Sequence, residues 1–160
     1  MQSIHFITVG KLKETFYKEA RAEYVKRLGA YCKLTETVIS EEKLPMNPTE
    51  GEIARCLEKE GEKILEKIPS SAKVVVLCVE GKLLDSPEIS SLLTGEKQGE
   101  ARHLVFIIGG SYGIGEKVKQ RGNIGLSMSK MTFPHHLAQI MLLEQIYRGF
   151  KIEEGSSYHK

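Results

Sequence analysis

The sequence predicts an α/β fold in which helices cover both faces of one mostly parallel sheet. Short β-branched apolar runs alternate with helical patterns along the whole chain, which is typical of parallel strands joined by right-handed crossovers. The runs Val74–Val79 and Leu104–Ile108 are apolar without interruption, as expected of parallel strands covered on both faces. The 160 residues contain no linker and no internal repeat, so we expect a single domain over residues 1–160.

Two strands and one helix are predicted at the start of the chain. The runs Ile4–Val9 and Leu34–Ile39 are short and rich in β-branched residues, which favours strands. Between them, apolar residues recur at every fourth position over Phe16–Leu28. This spacing predicts a helix, and Gly29 is expected to end it.

Two further helices are predicted in the middle of the chain. One carries an apolar stripe over residues 53–68, with Thr49 as its cap and Pro69 as its end. The other covers Ser86–Leu93, where Ser86 is predicted to be the cap and Pro87 the first helical residue. Each helix lies between two predicted strands, as the fold class requires.

The last part of the chain continues the alternation. Glycine and serine interrupt the apolar residues of Ile124–Met128, which is therefore a weaker strand. A short helical turn is predicted at Glu116–Arg121, and the last helix at about Pro134–Lys151. Two loops are predicted, at Glu41–Thr49 with its two prolines and at Gly95–Gly99.

The composition is that of a soluble globular protein. Hydrophobic residues make up 41% of the chain and charged residues 28%, and no apolar run approaches the roughly 20 residues of a membrane span. The N-terminus reaches Gly10 and a charged segment after one short apolar run, which argues against a signal peptide. Cys32, Cys56 and Cys78 lie far apart with no CxxC pattern. We therefore expect a cytoplasmic protein with no metal site, no disulfide framework and no membrane partner.

Charge is unevenly distributed along the chain. Residues 1–116 contain 16 basic and 18 acidic residues, whereas residues 117–160 contain 7 basic and 3 acidic ones. A basic C-terminal quarter on a nearly neutral body indicates an anionic partner. A solvated face without a partner would have the same composition, so charge alone leaves both interpretations open.

The last predicted helix is apolar around most of its circumference. The residues responsible are Leu137, Ala138, Ile140, Met141, Leu142, Leu143, Ile146, Tyr147 and Phe150. Such a helix must be buried on several sides, and in so small a domain a second chain packed against it is the economical explanation. The pattern therefore predicts a homodimer. A helix that is central within one subunit is the alternative.

A glycine-rich segment is the first candidate for a functional site. Gly109–Gly115 contains four glycines and follows a predicted buried strand. Open α/β sheets bind ligands at this end of a strand, and glycines allow close approach of the backbone. The spacing matches neither a dinucleotide fingerprint nor a Walker loop. A tight structural turn is an equally good explanation of the glycines.

Two more candidate segments lie near the C-terminus. Leu126–His136 combines small hydroxyls, two methionines and a proline, and it is either the wall of an apolar slot or only the entry to a helix. Gly155–Lys160 ends in a phenol, an imidazole and an ammonium group, which together can stack, exchange a proton and contact phosphate, although termini commonly fray. The sequence has no GxSxG elbow and no spaced pair of carboxylates. A reaction that depends on positioning an activated donor fits this inventory best.

Four segments carry a resemblance that covers essentially the whole chain. They are FIIGGSYG at Phe106–Gly113, LSMSKMTFPH at Leu126–His135, EQIYRGFKI at Glu144–Ile152 and the terminal YHK. VGKLKE at Val9–Glu14 and VEGKLLDS at Val79–Ser86 agree with them. The chain resembles the ribosomal RNA large subunit methyltransferase H family, which belongs to the SPOUT methyltransferases. The resemblance implies an α/β fold with a C-terminal trefoil knot and a homodimer packed through the knotted helices.

The resemblance also implies an activity and a cofactor. The family uses S-adenosylmethionine to methylate N3 of a pseudouridine in the helix-69 loop of 23S ribosomal RNA, acting on the assembled ribosome. The positions that match its cofactor contacts are Leu77, Gly109, Met128, Ser129, Lys130, Met131, Thr132 and Phe133. The expected contacts to RNA are Lys130, Arg148, Lys151 and Lys160.

For catalysis, we hypothesise that His159 accepts or relays the N3 proton while Tyr158 stacks on or orients the base. Arg148 is expected to hold the RNA backbone or to stabilise the developing anion. His135 and His136 are expected to be structural or to face RNA. Two rival interpretations are a ribosome-associated binding protein without cofactor affinity and a nucleotide-dependent enzyme that uses the glycine turn for phosphate.

Overall fold

The computed structural model describes residues 1–94 and 103–160. Within these ranges five strands alternate with five helices. They are β1 (Gln2–Val9), α1 (Thr15–Leu28), β2 (Cys32–Ile39), α2 (Glu50–Glu66), β3 (Lys73–Leu83), α3 (Ser86–Thr94), β4 (His103–Ile108), α4 (Glu116–Arg121), β5 (Ile124–Ser127) and α5 (His135–Glu153). Each strand and helix predicted from the sequence is present, and the loop predicted at Gly95–Gly99 lies outside the described residues.

The five strands form one sheet in which all neighbouring strands are parallel. Their order is β2-β1-β4-β3-β5, which confirms the predicted α/β class. Strand β4 is central, and each of its residues 104–108 is at most 3% exposed, as its uninterrupted apolar sequence indicates. The trefoil knot that the resemblance implies stays a prediction.

Successive side chains of a strand point to opposite faces of the sheet, and the two faces have separate cores. Ile4 and Phe6 of β1 pack in a cluster that includes buried residues of α1, α3 and α5. Ile7 and Val9 pack on the other side, with buried residues of α2 and α4. Helices therefore cover both faces, as predicted. Each fully buried side chain of this size stabilises the fold by about 1.5–3 kcal/mol relative to an exposed one.

Local hydrogen bonds determine where two of the helices begin. At α2, the Thr49 hydroxyl accepts from the N–H of Glu52 at 3.1 Å, and the Glu52 carboxylate accepts from the N–H of Thr49 at 3.1 Å. This capping box confirms Thr49 as the cap. At α3 the prediction that Ser86 is the cap is wrong, because Asp85 and Glu88 exchange the equivalent bonds at 2.8 and 2.7 Å. The helix therefore starts one residue earlier than predicted.

Strand β3 is longer than predicted and contains an irregularity. Leu126 of β5 is paired with both Leu77 and Lys82, so the residues between them bulge out of the ladder. Gly81 in this bulge packs on the backbone of β5, since a Cβ there would lie 2.6 Å from the carbonyl carbon of Gly125. The bulge places residues 78–81 at the carboxyl edge of the sheet.

Helix α5 packs between α1 and α3. Its buried residues are Ala138, Gln139, Ile140, Leu142, Leu143, Ile146, Gly149 and Phe150. Most of its apolar circumference is thus covered within one chain, which agrees with the alternative of a helix that is central within one subunit. Leu137, Met141 and Tyr147 are half-buried. The homodimer itself stays a prediction. Over residues 1–94 and 103–160, no helix has both the length and the apolar character that crossing a membrane requires.

Candidate active site

A cleft of about 840 Å³ lies at the carboxyl edge of the sheet, where β4 and β5 end and β3 bulges out of its ladder. Its walls come from the β3 bulge, from the glycine-rich segment after β4 and from the connection between β5 and α5. Ligands of open α/β sheets occupy this position. The volume is in the range of small-molecule and cofactor sites.

The glycine-rich segment forms a tight turn at this cleft. The N–H of Gly113 donates to the carbonyl of Gly110 at 3.1 Å, and Gly113 has a φ of 89°, in the region that favours glycine. A Cβ on Gly109 would collide with the carbonyl group of Gly113, at 2.8 Å from its carbon. The same residues line the cleft. The segment is therefore a required structural turn and a wall of the cleft at once.

Hydroxyl groups fix the connection between β5 and α5. Ser127 Oγ donates to the carbonyl of Ser129 at 3.0 Å, and Ser129 Oγ accepts from the N–H of Met131 at 3.1 Å. These bonds hold the connection against the end of β5. Met131 is 67% exposed and lines the cleft, so an apolar side chain stands at its mouth.

The structure gathers seven of the eight predicted cofactor residues around this cleft. They are Leu77, Gly109, Met128, Ser129, Met131, Thr132 and Phe133. Lys130 belongs to the same connection, but it is exposed and does not line the cleft. Three separate segments of the chain thus meet as expected, and the binding of a cofactor by these residues stays a prediction.

An ion pair that no sequence motif indicates completes one wall. Lys119 of α4 contacts the carboxylate of Glu80 in the β3 bulge, and both residues line the cleft. Their hydrogen bond lowers the pKa of Glu80 and raises the pKa of Lys119, so both are charged at neutral pH. Cys78 lies in the same wall, and burial raises the pKa of its thiol. Because Lys119 is far from Cys78 and Glu80 in the sequence, no local pattern brings the three residues together.

The two histidines that begin α5 have different surroundings. His135 lines the cleft, and burial, followed by the neighbouring His136, lowers its pKa. His136 has its Nδ1 at 3.7 Å from the carboxylate of Glu14 and packs edge-on against Tyr17, with 6.0 Å between ring centroids. His136 therefore joins α5 to the start of α1, which is a structural role.

The C-terminal residues fold back onto α5 and bring together the three predicted catalytic side chains. Nη1 of Arg148 lies 3.3 Å from Nδ1 of His159, and the guanidinium carbon lies 4.9 Å from the centre of the Tyr158 ring. Tyr158 also packs edge-on against Tyr147, with 5.0 Å between centroids. The tail is therefore packed against the helix, and we call Arg148, Tyr158 and His159 the tail group.

Glu144 holds the tail group together. Its Oε1 accepts from Nε and Nη2 of Arg148 at 3.0 and 2.6 Å and from the hydroxyl of Tyr158 at 3.2 Å. The hydrogen bond to Glu144 raises the pKa of Arg148, and burial, then Glu144, raises the pKa of Tyr158. The group therefore presents a guanidinium and a neutral phenol at neutral pH. The i,i+4 spacing of Glu144 and Arg148 indicates their own pair, but no local pattern indicates the contact of Glu144 with Tyr158.

The tail group does not line the cleft of its own chain. Arg148 follows Ala138, an α5 residue of the cleft wall, by ten positions, or about 15 Å along a helix. A second cleft, of about 600 Å³, lies between them and includes Glu144 in its wall. Ser127 and Met128 line both clefts, which are therefore adjacent.

The four predicted RNA contacts differ in whether their cationic groups already have partners within the chain. Lys151 donates to the carboxylate of Glu154 at 2.7 Å, and this bond, followed by one to a tyrosine hydroxyl, raises its pKa. Arg148 is held by its own carboxylate partner. Lys130 and Lys160 are exposed. Two of the four cations thus have contacts within the chain, and two extend into solvent.

Comparison with known families decides the class of the protein. A family model described as a predicted SPOUT methyltransferase matches residues 2–159, nearly the whole chain. The chain belongs to this family. It is accordingly a methyltransferase of the kind that uses S-adenosylmethionine. We call the first cleft of this SPOUT methyltransferase the donor cleft, because it is the candidate site for that cofactor.

The donor cleft of this SPOUT methyltransferase suits the chemistry of S-adenosylmethionine. Leu77 and Phe133 offer apolar surface to a planar ring, as cofactor pockets commonly do. The charged carboxylate of Glu80 can accept hydrogen bonds from ribose hydroxyls. At Gly109 the absence of a Cβ lets the backbone itself form the wall.

Proposed function

We propose that the protein methylates N3 of a pseudouridine in the helix-69 loop of 23S ribosomal RNA, with S-adenosylmethionine as the donor. The observation that carries the proposal is the tail group: the terminal residues by which the chain resembles that methyltransferase family are folded onto Glu144, which lines the cleft adjacent to the donor cleft. We expect the enzyme to act in the cytoplasm on the assembled ribosome.

The chain has two tasks in this reaction. When bound, S-adenosylmethionine supplies a methyl group activated by its sulfonium, so that the methyl–sulfur bond breaks as the methyl–N3 bond forms. The walls of the donor cleft hold this group in line with the base, which is most of the catalytic work. The second task is to help N3 lose its proton, because the lone pair of the protonated imide nitrogen is delocalised into the two neighbouring carbonyls and is a poor nucleophile.

The geometry of the tail group suits it to stabilise the anionic base. A guanidinium only donates hydrogen bonds, so Nδ1 of His159 accepts from Arg148 and the ring hydrogen sits on Nε2. In this arrangement His159 can donate from Nε2 to a carbonyl of the base, and it can take up the N3 proton only after its bond to Arg148 opens. Because Arg148 is paired with Glu144, its hydrogen bonds rather than a net positive charge would stabilise the anion, and each unit by which they lower the N3 pKa is worth about 1.4 kcal/mol.

Recognition of RNA is expected to rely on charge and on the shape of a preformed target. The basic C-terminal quarter supplies phosphate contacts, and the exposed Lys130 and Lys160 are the best placed of the four predicted cations. The strands that the structure describes form one sheet, and we expect the surface that contacts RNA to belong to this same unit. The folded loop of a large RNA offers such an enzyme a ready-made shape.

A homodimer through α1 and α5 is part of the proposal. The guanidinium of Arg27 on α1 lies 5.5 Å from the ring centre of Tyr24 and 5.6 Å from that of Tyr147 on α5. Tyrosine and arginine are enriched in the energetically important parts of interfaces. Leu137 and Met141 add half-buried apolar surface on α5. The arrangement supports a second copy packed on this side of the molecule.

A methylation assay on ribosomes tests the proposed function. Ribosomes whose helix 69 lacks the modification are incubated with the protein and S-adenosylmethionine, and the RNA fragment is analysed by mass spectrometry. We expect one added methyl group on N3 of the pseudouridine. Deleting Tyr158–Lys160 should abolish transfer and leave the Kd for S-adenosylmethionine nearly unchanged. Full activity of the truncated protein, or methylation at another nucleotide, would contradict the proposal.

A further inference from the structure

Three exposed apolar side chains line the donor cleft, one from each of its walls. They are Val79 of the β3 bulge, Tyr112 of the glycine-rich turn and Met131 of the β5–α5 connection, which are 58%, 49% and 67% exposed. Isolated exposed apolar residues are common on protein surfaces, but a group of them around one opening marks a binding surface. A methyl acceptor must come within about 3–3.5 Å of a donor held in this cleft. We therefore expect the acceptor to contact the exposed part of this lining.

Tyr112 differs from the other tyrosines of the chain. Each of the other five has an aromatic or cation–π contact with another side chain. Within residues 1–94 and 103–160, Tyr112 has no such contact and no hydrogen bond through its hydroxyl. A tyrosine contributes most when its ring is packed and its hydroxyl is paired. The ring of Tyr112 is thus available to a ligand that enters the donor cleft.

The glycine-rich turn fixes the backbone of Tyr112. The bond from the N–H of Gly113 to the carbonyl of Gly110 closes the turn, and its two central residues, Ser111 and Tyr112, both line the cleft. Close packing at Gly109 and the positive φ of Gly113 constrain the chain on either side. An aromatic side chain on a fixed backbone loses little conformational entropy when it binds a ligand.

We propose that the ring of Tyr112 stacks on the acceptor base, a pyrimidine-type ring turned out of the RNA, at the mouth of the donor cleft. The inference rests on the proposed function, because it names a residue that holds the substrate of that reaction. Tyr112 is not among the cofactor, RNA or catalytic residues predicted from the sequence, so it is a further substrate contact.

Stacking suits the geometry of the methyl transfer. The lone pair of a deprotonated imide nitrogen lies in the plane of the base, so the nitrogen must present its edge to the methyl group. A base that rests with its face on Tyr112 keeps that edge free to approach the donor. Unstacked bases bind in this way to aromatic side chains, with little regard to sequence. The thioether of Met131, exposed in the same lining, adapts well to ring surfaces.

The charges around the donor cleft are compatible with RNA. Glu80 is the carboxylate of the cleft lining, and it is paired with Lys119. Lys130 follows Ser129 in the cleft wall, is exposed and has no ion-pair partner among the residues that the structure describes. The lining therefore presents no unpaired negative charge to phosphates, and a free cation stands beside it.

The proposed homodimer does not require Tyr112 to be covered. That interface is proposed to involve α1 and α5, whereas Tyr112 belongs to the connection between β4 and α4. A second copy packed on α1 and α5 can therefore leave the ring open to RNA.

Nuclear magnetic resonance of the intact protein with ¹³C-labelled tyrosine rings tests the contact directly. The Tyr112 signal is assigned by its loss in Tyr112→Phe. With S-adenosylhomocysteine present, the protein is titrated with pseudouridine 5′-monophosphate and, separately, with uridine 5′-monophosphate. We expect the ring current of the stacked base to move the Tyr112 signal upfield. Tyr31, which is stacked on Phe150 and lines neither cleft, is the internal control. A Tyr112 signal that neither nucleotide moves overturns the inference.

Methyl transfer to ribosomes measures the consequence for the reaction. Tyr112→Ala should lower kcat/KM by about tenfold or more, the usual effect of losing one base–aromatic stack, and leave the Kd for S-adenosylmethionine within about twofold of the wild type. Tyr112→Phe keeps the ring and should retain most of the activity. Val38→Ala should behave like the wild type, because Val38 is as exposed as Tyr112 but lines neither cleft.

Several outcomes would overturn the inference. They are undiminished transfer by Tyr112→Ala, a Tyr112→Phe variant as impaired as Tyr112→Ala, and a loss of cofactor affinity that accounts for the loss of transfer. A change of oligomeric state in Tyr112→Ala, measured by sedimentation, would show that a second copy covers the ring and would overturn it too. A nucleotide that moves the Tyr112 signal while the wild type transfers no methyl group to helix 69 would contradict the proposed function alone.

Discussion

One carboxylate, that of Glu144, organises the tail group, and its side chain is only 18% exposed. The sequence indicates three members of the tail group, but it does not indicate the carboxylate that holds them together. The terminal Tyr158 and His159 are recognisable by their types, and Arg148 by its motif. The contact from Glu144 to Tyr158 depends on how the tail folds back. Lys130 shows the opposite case: it lies within a motif, but its exposed side chain does not line the donor cleft.

Replacing Glu144 by glutamine should loosen the tail group. The amide keeps the shape but loses the charge, and hydrogen bonds to charged groups are worth about 1.5–3 kcal/mol when they are well buried, less at a partly exposed site such as this one. We expect faster hydrogen exchange at Tyr158 and His159 and a methyl-transfer rate lowered by about tenfold or more, with an unchanged Kd for S-adenosylmethionine. Glu153→Gln, at an exposed residue of the same helix, is the control. Equal exchange and activity in the two variants would show that Glu144 does not position the tail.

The pair His5 and His103 predicts a pH dependence of stability. Burial, followed by His103, lowers the pKa of His5 in the folded state, whereas the unfolded chain has the ordinary value near 6.5. The unfolded state therefore binds more protons once the pH falls below about 6.5, and the free energy of unfolding should decrease there. Denaturant titrations between pH 7 and pH 5 measure this loss. His5→Asn should reduce the slope, and a slope identical to that of the wild type would exclude His5 as its source.

At the scale of elements, the parallel strands follow most directly from the sequence. Uninterrupted apolar runs specify strands buried on both faces, and Leu104–Ile108 is such a strand. The bulge in β3 follows from no local pattern, because Lys82 resumes pairing only through contact with Leu126 on another strand. The Glu80–Lys119 pair depends on this bulge, so it could not be predicted either. Long-range pairing, rather than propensity, shapes that wall of the donor cleft.

The crossing of α3 and α5 depends on a glycine. A Cβ on Gly149 would lie 2.7 Å from Cδ1 of Leu93 and 3.2 Å from Cα of Ser90, and Ser90 Oγ donates to the Gly149 carbonyl at 2.6 Å. Gly149→Ala should therefore lower the free energy of unfolding by about 1–2 kcal/mol, since overpacking of about 1–3 kcal/mol outweighs the gain in helix propensity of up to about 1 kcal/mol.

Denaturant unfolding of matched variants measures this effect. Gly51→Ala is the control, because a Cβ there meets only Oγ1 of Thr49 at 4.0 Å, and it should leave the stability unchanged or slightly raised. If Gly149→Ala were as stable as Gly51→Ala, the close packing of α3 on α5 would not be a constraint on the fold.

At the scale of the whole molecule, the order β2-β1-β4-β3-β5 places the ends of β4, β3 and β5 side by side. The β3 bulge, the glycine-rich turn after β4 and the β5–α5 connection thereby form one donor cleft. The positions of its glycines and of the β5–α5 connection were predictable, since both follow strands at the same edge. The knot and the homodimer came from the resemblance and from the apolar last helix. Both stay predictions: no periodicity indicates the knot, and because α5 is mostly buried by its own chain, its apolar pattern does not by itself require a second copy.

Calorimetric titration of S-adenosylmethionine into the intact protein tests the account most directly. The wild type should bind one molecule per chain. Gly109→Ala should bind at least tenfold more weakly, because its Cβ would displace the carbonyl group of Gly113 in the cleft wall, and Gly51→Ala should bind like the wild type. A wild-type protein without affinity for the cofactor, or a folded Gly109→Ala variant with undiminished affinity, would show that the donor cleft is not where this methyltransferase holds its methyl donor.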